Sequence, residues 1–359
     1  MRGIWFENQQ FIIRDDLPMP CVQSDAEVLI KILQAGICST DHHLFEGMYD
    51  FHGVPGHEFI GQVKSTHSDL FNQRVVGKIS THCHHCSMCH RHRYQHCENR
   101  KVLGIRGLQG AFAEYIVLPR ENVFAVPESI NNELATFSEP LAAALRLRQQ
   151  IHFNPDDHVL IIGPGKLGQL ICRCLMPDYP NISVLGRGLS KLSRLPSQIT
   201  QRYQIDNLPD KYFDLIVECS GSTAGLNIAV DRVRPQGTII LKSTMNGVNS
   251  SSSDRSSERA WTNMMTAIVT KEIHLIGSRC GDMNSALACL SAFPDALTND
   301  QSRSPHSIAI QQSAFNDMHS LIDGRYPLDA FANAFTQSQR GDCLKVVLTI
   351  GDTMKPDTV

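Results

Sequence analysis

The sequence predicts an α/β protein in two parts: a doubly wound parallel sheet, and a β-rich partner carrying a metal-ordered lobe. Three observations carry that prediction. Four cysteines, Cys83, Cys86, Cys89 and Cys97, fall in the spacing C-x2-C-x2-C-x7-C. A glycine-rich loop, Gly163-Pro164-Gly165-Lys166-Leu167-Gly168, closes a run of buried-strand character. The chain, at 359 residues, is also long for one hydrophobic core and suits two domains.

In chain order, residues 1 to about 130 hold short apolar runs broken by Gly, Pro and Asp, such as Val28-Leu29-Ile30-Lys31-Ile32, the pattern of a β-rich domain. The texture then changes. His158-Val159-Leu160-Ile161-Ile162 reads as a buried strand, and the glycine loop after it passes into a helical stretch. Further strand-like runs follow at Ile182–Leu185, Phe213–Val217, Thr238–Leu241 and Ile273–Ile276, alternating with helical segments as in a parallel sheet. Asn249 to Glu258 contains a serine run and reads as a mobile surface insertion. Leu344-Lys345-Val346-Val347-Leu348 reads as a closing strand.

Composition narrows the class of partner. Hydrophobic residues make up 42% and charged residues 19%, as in an ordinary globular protein. The formal net charge of -3 offers no electrostatic reason to bind nucleic acid or an anionic membrane. No apolar run reaches the length of a membrane span, and the N-terminus, Met1-Arg2-Gly3-Ile4-Trp5, lacks an apolar signal core. Clustered cysteines in such a chain read as metal ligands in a reducing cytosol, so the expected location is cytoplasmic.

The four cysteines place four thiolates where one short loop can fold them around a tetrahedral Zn2+. With four sulfur ligands and no open position, the site is structural. Ordering of this kind contributes about 10–16 kcal/mol in small zinc-folded peptides.

The glycine loop follows a strand and opens a helix, the context in which such a loop binds a dinucleotide. Gly163 allows the tight turn, Gly165 lets backbone N–H groups approach a pyrophosphate, and Gly168 lets helix and strand pack closely. Lys166 and Leu167 lie at the start of the helix, whose positive end faces the phosphates. An NAD site usually carries an acidic residue at the end of the second strand. Here no acidic residue lies between Asp178 and Asp206, and the strand Ile182–Leu185 runs into Gly186-Arg187-Gly188. Arg187 can pair with a 2′-phosphate through its planar fork, with Lys191 as a second cation. The expected cofactor is therefore NADP, with NAD possible.

A second metal site is readable upstream. Cys38 sits in Gly36-Ile37-Cys38-Ser39-Thr40-Asp41-His42-His43, and His57-Glu58 follows nineteen residues later. Thiolate, imidazole and carboxylate are sound Zn2+ ligands, and three of them leave a coordination position free. Zinc with an open position can lower the pKa of an alcohol and polarise the carbonyl formed on oxidation. Thr40 and His43 are placed for a hydroxyl–imidazole relay that carries the released proton to water.

These motifs together resemble a zinc-dependent member of the medium-chain dehydrogenase/reductase superfamily. Within it the chain is similar to the polyol and threonine dehydrogenase branch, whose zinc carries Cys, His and Glu, matched here by Cys38, His57 and Glu58. The resemblance implies a GroES-like catalytic domain (residues 1–150 and 286–359, with the zinc lobe at about 82–100) flanking a Rossmann coenzyme domain (151–285). It implies two zinc ions per chain, one catalytic and one structural, and oxidation of a small-molecule alcohol or polyol (or reduction of its carbonyl). It also implies a homodimer or homotetramer.

Glu139, in Phe137-Ser138-Glu139-Pro140-Leu141, matches a second acidic element of that branch. By resemblance it binds the zinc or hydrogen-bonds its water, and argues for a hydroxyl-rich substrate. Arg279 resembles a substrate-side arginine of polyol enzymes, and Lys345 a basic residue near the cofactor pyrophosphate. The lobe departs from the family in carrying His84, His85, His90, His92 and His96 where glycines are usual. Four thiolates should outcompete these imidazoles for zinc, leaving them as a solvated face. Two other readings stay open at this level: a non-catalytic nucleotide sensor or scaffold on the same fold, and a zinc-assisted reductase of another substrate class.

Overall fold

The computed structural model describes residues 1–47, 49–151, 154–244, 255–291 and 314–351. Its residues group into two compact units. Among the described residues the first comprises 1–142, 282–291 and 318–351, and the second 143–281 and 314–317.

The first unit is organised by one long strand, Glu27–Ile37. Val28, Ile30 and Ile32 alternate into the core, as a half-buried strand requires, and beyond a bulge near Gln34 the residues Ala35 and Ile37 continue it. The sheet runs in the order Val123–Ala125, Arg74–Gly77, Glu58–Val63, Glu27–Ile37, Lys345–Thr349, Ile322–Pro327, with Tyr115–Pro119 also paired to the long strand. Register decides what meets at its upper end. Gly36 pairs with Glu58 on one side and Val347 on the other, while Ile37 pairs with Val346. Cys38, Glu58 and Lys345 are thereby drawn to one place from three distant stretches of chain.

A separate small sheet forms the base of the lobe. Ser80–Thr81 pairs antiparallel with Lys101–Leu103, so residues 82–100 are a loop tied at its neck. The expected strand Leu344–Leu348 is observed as Lys345–Thr349.

The second unit is a six-stranded, all-parallel sheet in the order Gln201–Tyr203, Ile182–Leu185, Val159–Ile162, Phe213–Glu218, Val233–Leu241, His274–Gly277. In chain order that is 3-2-1-4-5-6, the dinucleotide-binding topology. Val159–Ile162 and Ile182–Leu185 are buried at every position, which explains why they read as continuous apolar runs rather than alternating ones. Leu160, Ile162, Phe213, Ile216 and Ile239 pack with Ala229, Val230 and Met264 from the flanking helices.

The serine-bearing insertion is only partly within view. Residues 249–254 lie outside the described residues, whereas from Arg255 the backbone is the first turn of the helix Arg255–Thr270, not a loop. Among the described residues, no helix is long and apolar enough to cross a membrane.

Candidate active site and metal centres

The lobe thiols converge as their spacing requires. Cys86 Sγ lies 3.5 Å from Cys89 Sγ and 3.8 Å from Cys97 Sγ, and Cys97 Sγ lies 3.5 Å from Cys83 Sγ. All four are free thiols, and these separations suit sulfurs sharing a tetrahedral ion with Zn–S bonds of about 2.3 Å. The lobe also prepares the thiolate form. Asn99 Nδ2 donates to Cys83 Sγ, and with the backbone N–H groups of His85 and Cys86 it brings that thiol down to about 5. The backbone N–H groups of Glu98 and Cys89 lower Cys86. Cys89, deeper, is pushed up to about 12 by burial, the penalty a bound dication would relieve. His84, His85, His90, His92 and His96 are all exposed.

The second cluster is assembled from separate elements. Cys38 caps the helix Ser39–Phe45, and one ligand atom each from Cys38, His57 and Glu58 lie within 4.8 Å of one another. His57 and Glu58 are almost wholly buried, and Cys38 is half-buried. Two further residues hold the arrangement. Asp41, fully buried, accepts a 2.8 Å hydrogen bond from the Cys38 backbone N–H, and its other oxygen lies 3.6 Å from His57 Nδ1. The Lys345 ammonium pairs with Glu58 and donates to the Thr136 carbonyl at 2.9 Å, over the face of the Phe137 ring. Gly36 makes the pairing possible, since a Cβ there would collide with the lysine Nζ and come within 2.9 Å of Glu58 Oε2.

The electrostatics ask for a cation. Burial alone would lower the His57 pKa, but the negative charges of Cys38, Asp41 and Glu139 together override it and raise it to about 10. Asp41, Glu58 and Glu139 gather acidic charge around Cys38 and His57, with Lys345 paired to Glu58, and a dication would offset the rest. The donor set therefore fits Zn2+. His57 Nδ1 is buried, faces Asp41 across 3.6 Å and makes no hydrogen bond among the described residues.

Around this cluster, Thr40 Oγ1 lies 3.7 Å from Cys38 Sγ. His43 is on the same short helix, three residues on, where side chains share a face. Its imidazole is half-buried, and desolvation lowers its pKa against a smaller opposing effect of Glu46. Glu139 is half-buried on the helix Ser138–Leu145, and its charge is the smallest of those that raise the His57 pKa.

Lys345 is fully buried on Glu58, because an ammonium in the core needs a carboxylate and a carbonyl to replace its water. Asp41 was visible in the sequence only as part of the cysteine stretch. Its possible signal was its place three residues after Cys38, from which a carboxylate reaches back to a cap N–H.

In the second unit the glycine loop has the form expected of it. Gly163 has φ +98°, and a side chain there would run into the backbone of Ser220 at 2.8 Å. A Cβ on Gly168 would strike the Gly163 carbonyl, so helix and turn are in contact. A Cβ on Gly165, the cap of the helix Lys166–Leu175, would meet nothing within 4 Å, the open ground a phosphate requires. Gln169 Nε2 donates to the Pro164 and Lys191 carbonyls and ties this loop to the one after the second strand. Arg187 is exposed there, and Lys166 and Lys191 are half-exposed. Arg279 is exposed just past the strand His274–Gly277, its carbonyl accepting from Lys242 Nζ at 3.2 Å.

Comparison with known proteins agrees with this construction. Residues 24–128 match the alcohol dehydrogenase GroES-like domain. L-threonine 3-dehydrogenase of Protochlamydia amoebophila is 30% identical over 67% of this chain and 73% of its own length. D-arabinitol dehydrogenase 1 of Uromyces fabae is 25% identical over 97% of both chains. Among solved structures, alcohol dehydrogenase TADH from Thermus sp. ATN1 superposes with a TM-score of 0.76, at 24% identity, covering 98% of this chain and 100% of that one, a likeness of fold. The chain is an NAD(P)-dependent dehydrogenase of the alcohol/polyol type, and it belongs to the zinc-dependent medium-chain dehydrogenase/reductase superfamily, in the polyol and threonine dehydrogenase branch.

Proposed function

We propose that this enzyme oxidises a secondary alcohol or polyol (or reduces the corresponding carbonyl) with NADP in preference to NAD, using one catalytic and one structural zinc per chain. The observation that carries the reading is the convergence of Cys38, His57 and Glu58, framed by Asp41, Glu139 and Lys345. Dehydrogenases acting on D-arabinitol and L-threonine among its relatives support a small, polar, hydroxyl-bearing substrate. We assign residues 1–150 and 286–359 to catalysis and 151–285 to coenzyme binding, and expect a cytoplasmic homodimer or homotetramer.

Cys38, His57 and Glu58 would hold the catalytic zinc, with Glu139 binding it or its water. Bound there, zinc supplies Lewis acidity to the substrate oxygen, and the nicotinamide supplies the hydride acceptor. The chain's own residues do the rest. Asp41 fixes the backbone of Cys38. Lys345 pairs with Glu58 and supplies the opposite charge that a carboxylate buried at this depth needs. Thr40 takes the hydroxyl proton and passes it to His43, whose lowered pKa keeps the imidazole neutral and able to accept it. Gly163, Gly165, Lys166, Leu167 and Gly168 form the pyrophosphate bed. Arg187 and Lys191 meet the 2′-phosphate with no carboxylate nearby in sequence to repel it. Arg279 contacts the polyol.

The test is the initial rate of coenzyme reduction by zinc-loaded protein, with NADP+ and NAD+ in parallel over polyols, sugars, hydroxy amino acids and secondary alcohols. Turnover favouring NADP+ and lost in Cys38→Ser is expected. Coenzyme binding without turnover across the panel would sink the substrate class, and equal or better rates with NAD+ would sink the NADP preference.

A further inference from the structure

A third group of potential ligands lies outside both clusters. His82, His84 and Glu121 each place a ligand atom within 4.8 Å of the others. His84 Nε2 is 2.9 Å from Glu121 Oε1, and His82 Nε2 is 3.6 Å from Glu121 Oε2. The two imidazoles stand with ring centroids 4.2 Å apart. Both rings thus address the same carboxylate, one oxygen each.

The group is supported from behind. His82 has a side chain only 9% exposed, packed 4.4 Å from the Tyr94 ring. Glu121 belongs to the turn Arg120–Asn122, and the adjacent Asn122 is buried and donates to the Lys78 and Ser80 carbonyls at 2.7 and 2.9 Å, just where the chain enters the lobe. His84 reaches the group from a left-handed backbone conformation, φ +65°, which few residue types adopt readily. The outer side is open, with His84 61% and Glu121 42% exposed.

Two imidazoles and one carboxylate select a borderline cation over Ca2+ or Mg2+, and three protein ligands leave a position for water. We infer that His82, His84 and Glu121 form a third metal site for a divalent transition cation of the Zn2+ class, at the neck of the lobe. The ion joins residues on either side of Cys83 to the turn that braces the lobe's entrance, and so staples the lobe to the sheet beneath it. Being open and built of weaker donors than four thiolates, it fills and empties as free metal varies, while the thiolate site stays loaded. Nothing in this depends on the dehydrogenase reaction.

The experiment uses the full chain already carrying its resident zinc, titrated with Co2+ and separately with Zn2+, with bound metal counted by atomic emission. One additional ion per chain is expected, its Co2+ form showing weak d–d absorption without a thiolate charge-transfer band. His84→Ala and Glu121→Gln should each weaken that ion by at least about 100-fold while leaving the resident zinc and turnover in place. The double variant His90→Ala/His96→Ala should bind it as the parent does. Hydrogen exchange over residues 82–100 should slow when the ion binds, and should not in Glu121→Gln. No additional ion, or one that ignores His84→Ala and Glu121→Gln, overturns the site, and the His84–Glu121 contact is then an ordinary surface ion pair.

Discussion

The four-thiolate lobe and the Cys38–His57–Glu58 cluster sit in the same unit and both suit zinc, yet they are built on opposite plans. The lobe draws like ligands from one short loop closed by a single antiparallel pair. The other cluster draws unlike ligands from a helix cap at the end of one strand and from the start of its neighbour, and its carboxylate is balanced by a lysine from the last strand. A local, saturated site can order its own surroundings and has no free position for chemistry. An assembled site depends on a sheet that folds without it, and so can spend its geometry on an open coordination position and a charge imbalance.

The largest expected effect separates the two directly. Replacing Cys89 by Ala should cost the lobe most of an ordering energy of about 10 kcal/mol, read as lost hydrogen-exchange protection over residues 82–100. Cys38→Ser should leave that protection intact and instead lower turnover by about 1,000-fold or more, the scale of losing metal assistance at the reacting oxygen. If Cys38→Ser unfolds the unit, the assembled cluster is structural after all.

The lysine that balances the assembled site is the next point of attack. Lys345→Met strands a buried carboxylate, and denaturant unfolding should show a loss of about 3–5 kcal/mol. Adding Glu58→Gln in the same chain should recover much of it. Full recovery is not expected, since Thr136 O also loses its donor.

Smaller effects lie in the coenzyme unit and at the relay. Arg187→Ala should raise KM for NADP+ about tenfold and leave NAD+ unchanged, the scale of one charged hydrogen bond. An equal change for both coenzymes would remove Arg187 from the 2′-phosphate. The pH effect is the smallest. Burial depresses the His43 pKa, so as pH falls the unfolded chain takes up this proton before the folded one. Its contribution to stability is therefore complete above about 6.5 and is lost as pH falls through the lower folded value. Alcohol oxidation should keep its rate below pH 6.5 until the imidazole protonates, and His43→Asn should abolish that acid limb. An unchanged profile in the variant would take His43 out of the proton path.

Legibility followed the same division. Cys83, Cys86, Cys89 and Cys97 could be read as one site because their ligand geometry is carried by spacing within a loop. Gly163, Gly165 and Gly168 were equally plain, since each meets a constraint within a single turn and helix. Lys345 could not be placed from its neighbours in the chain. Its strand was readable, but which carboxylate it meets depends on the pairing of Ile37 with Val346 and of Gly36 with Glu58. The helix beginning at Arg255 was also missed, because a serine run masks a helical start when no packing partner is visible.

Sequence alone thus determined the family, the two kinds of unit, the thiolate lobe and the nucleotide loop, all features whose physics closes within a few residues or one strand–helix step. Tertiary structure alone decided which charges face one another: Asp41 beneath Cys38 and His57, Lys345 on Glu58, and Glu121 between His82 and His84. Apart from the cap that Asp41 makes on Cys38, those pairings arise from strand register and burial, which act between residues far apart in the chain and leave no local pattern to read.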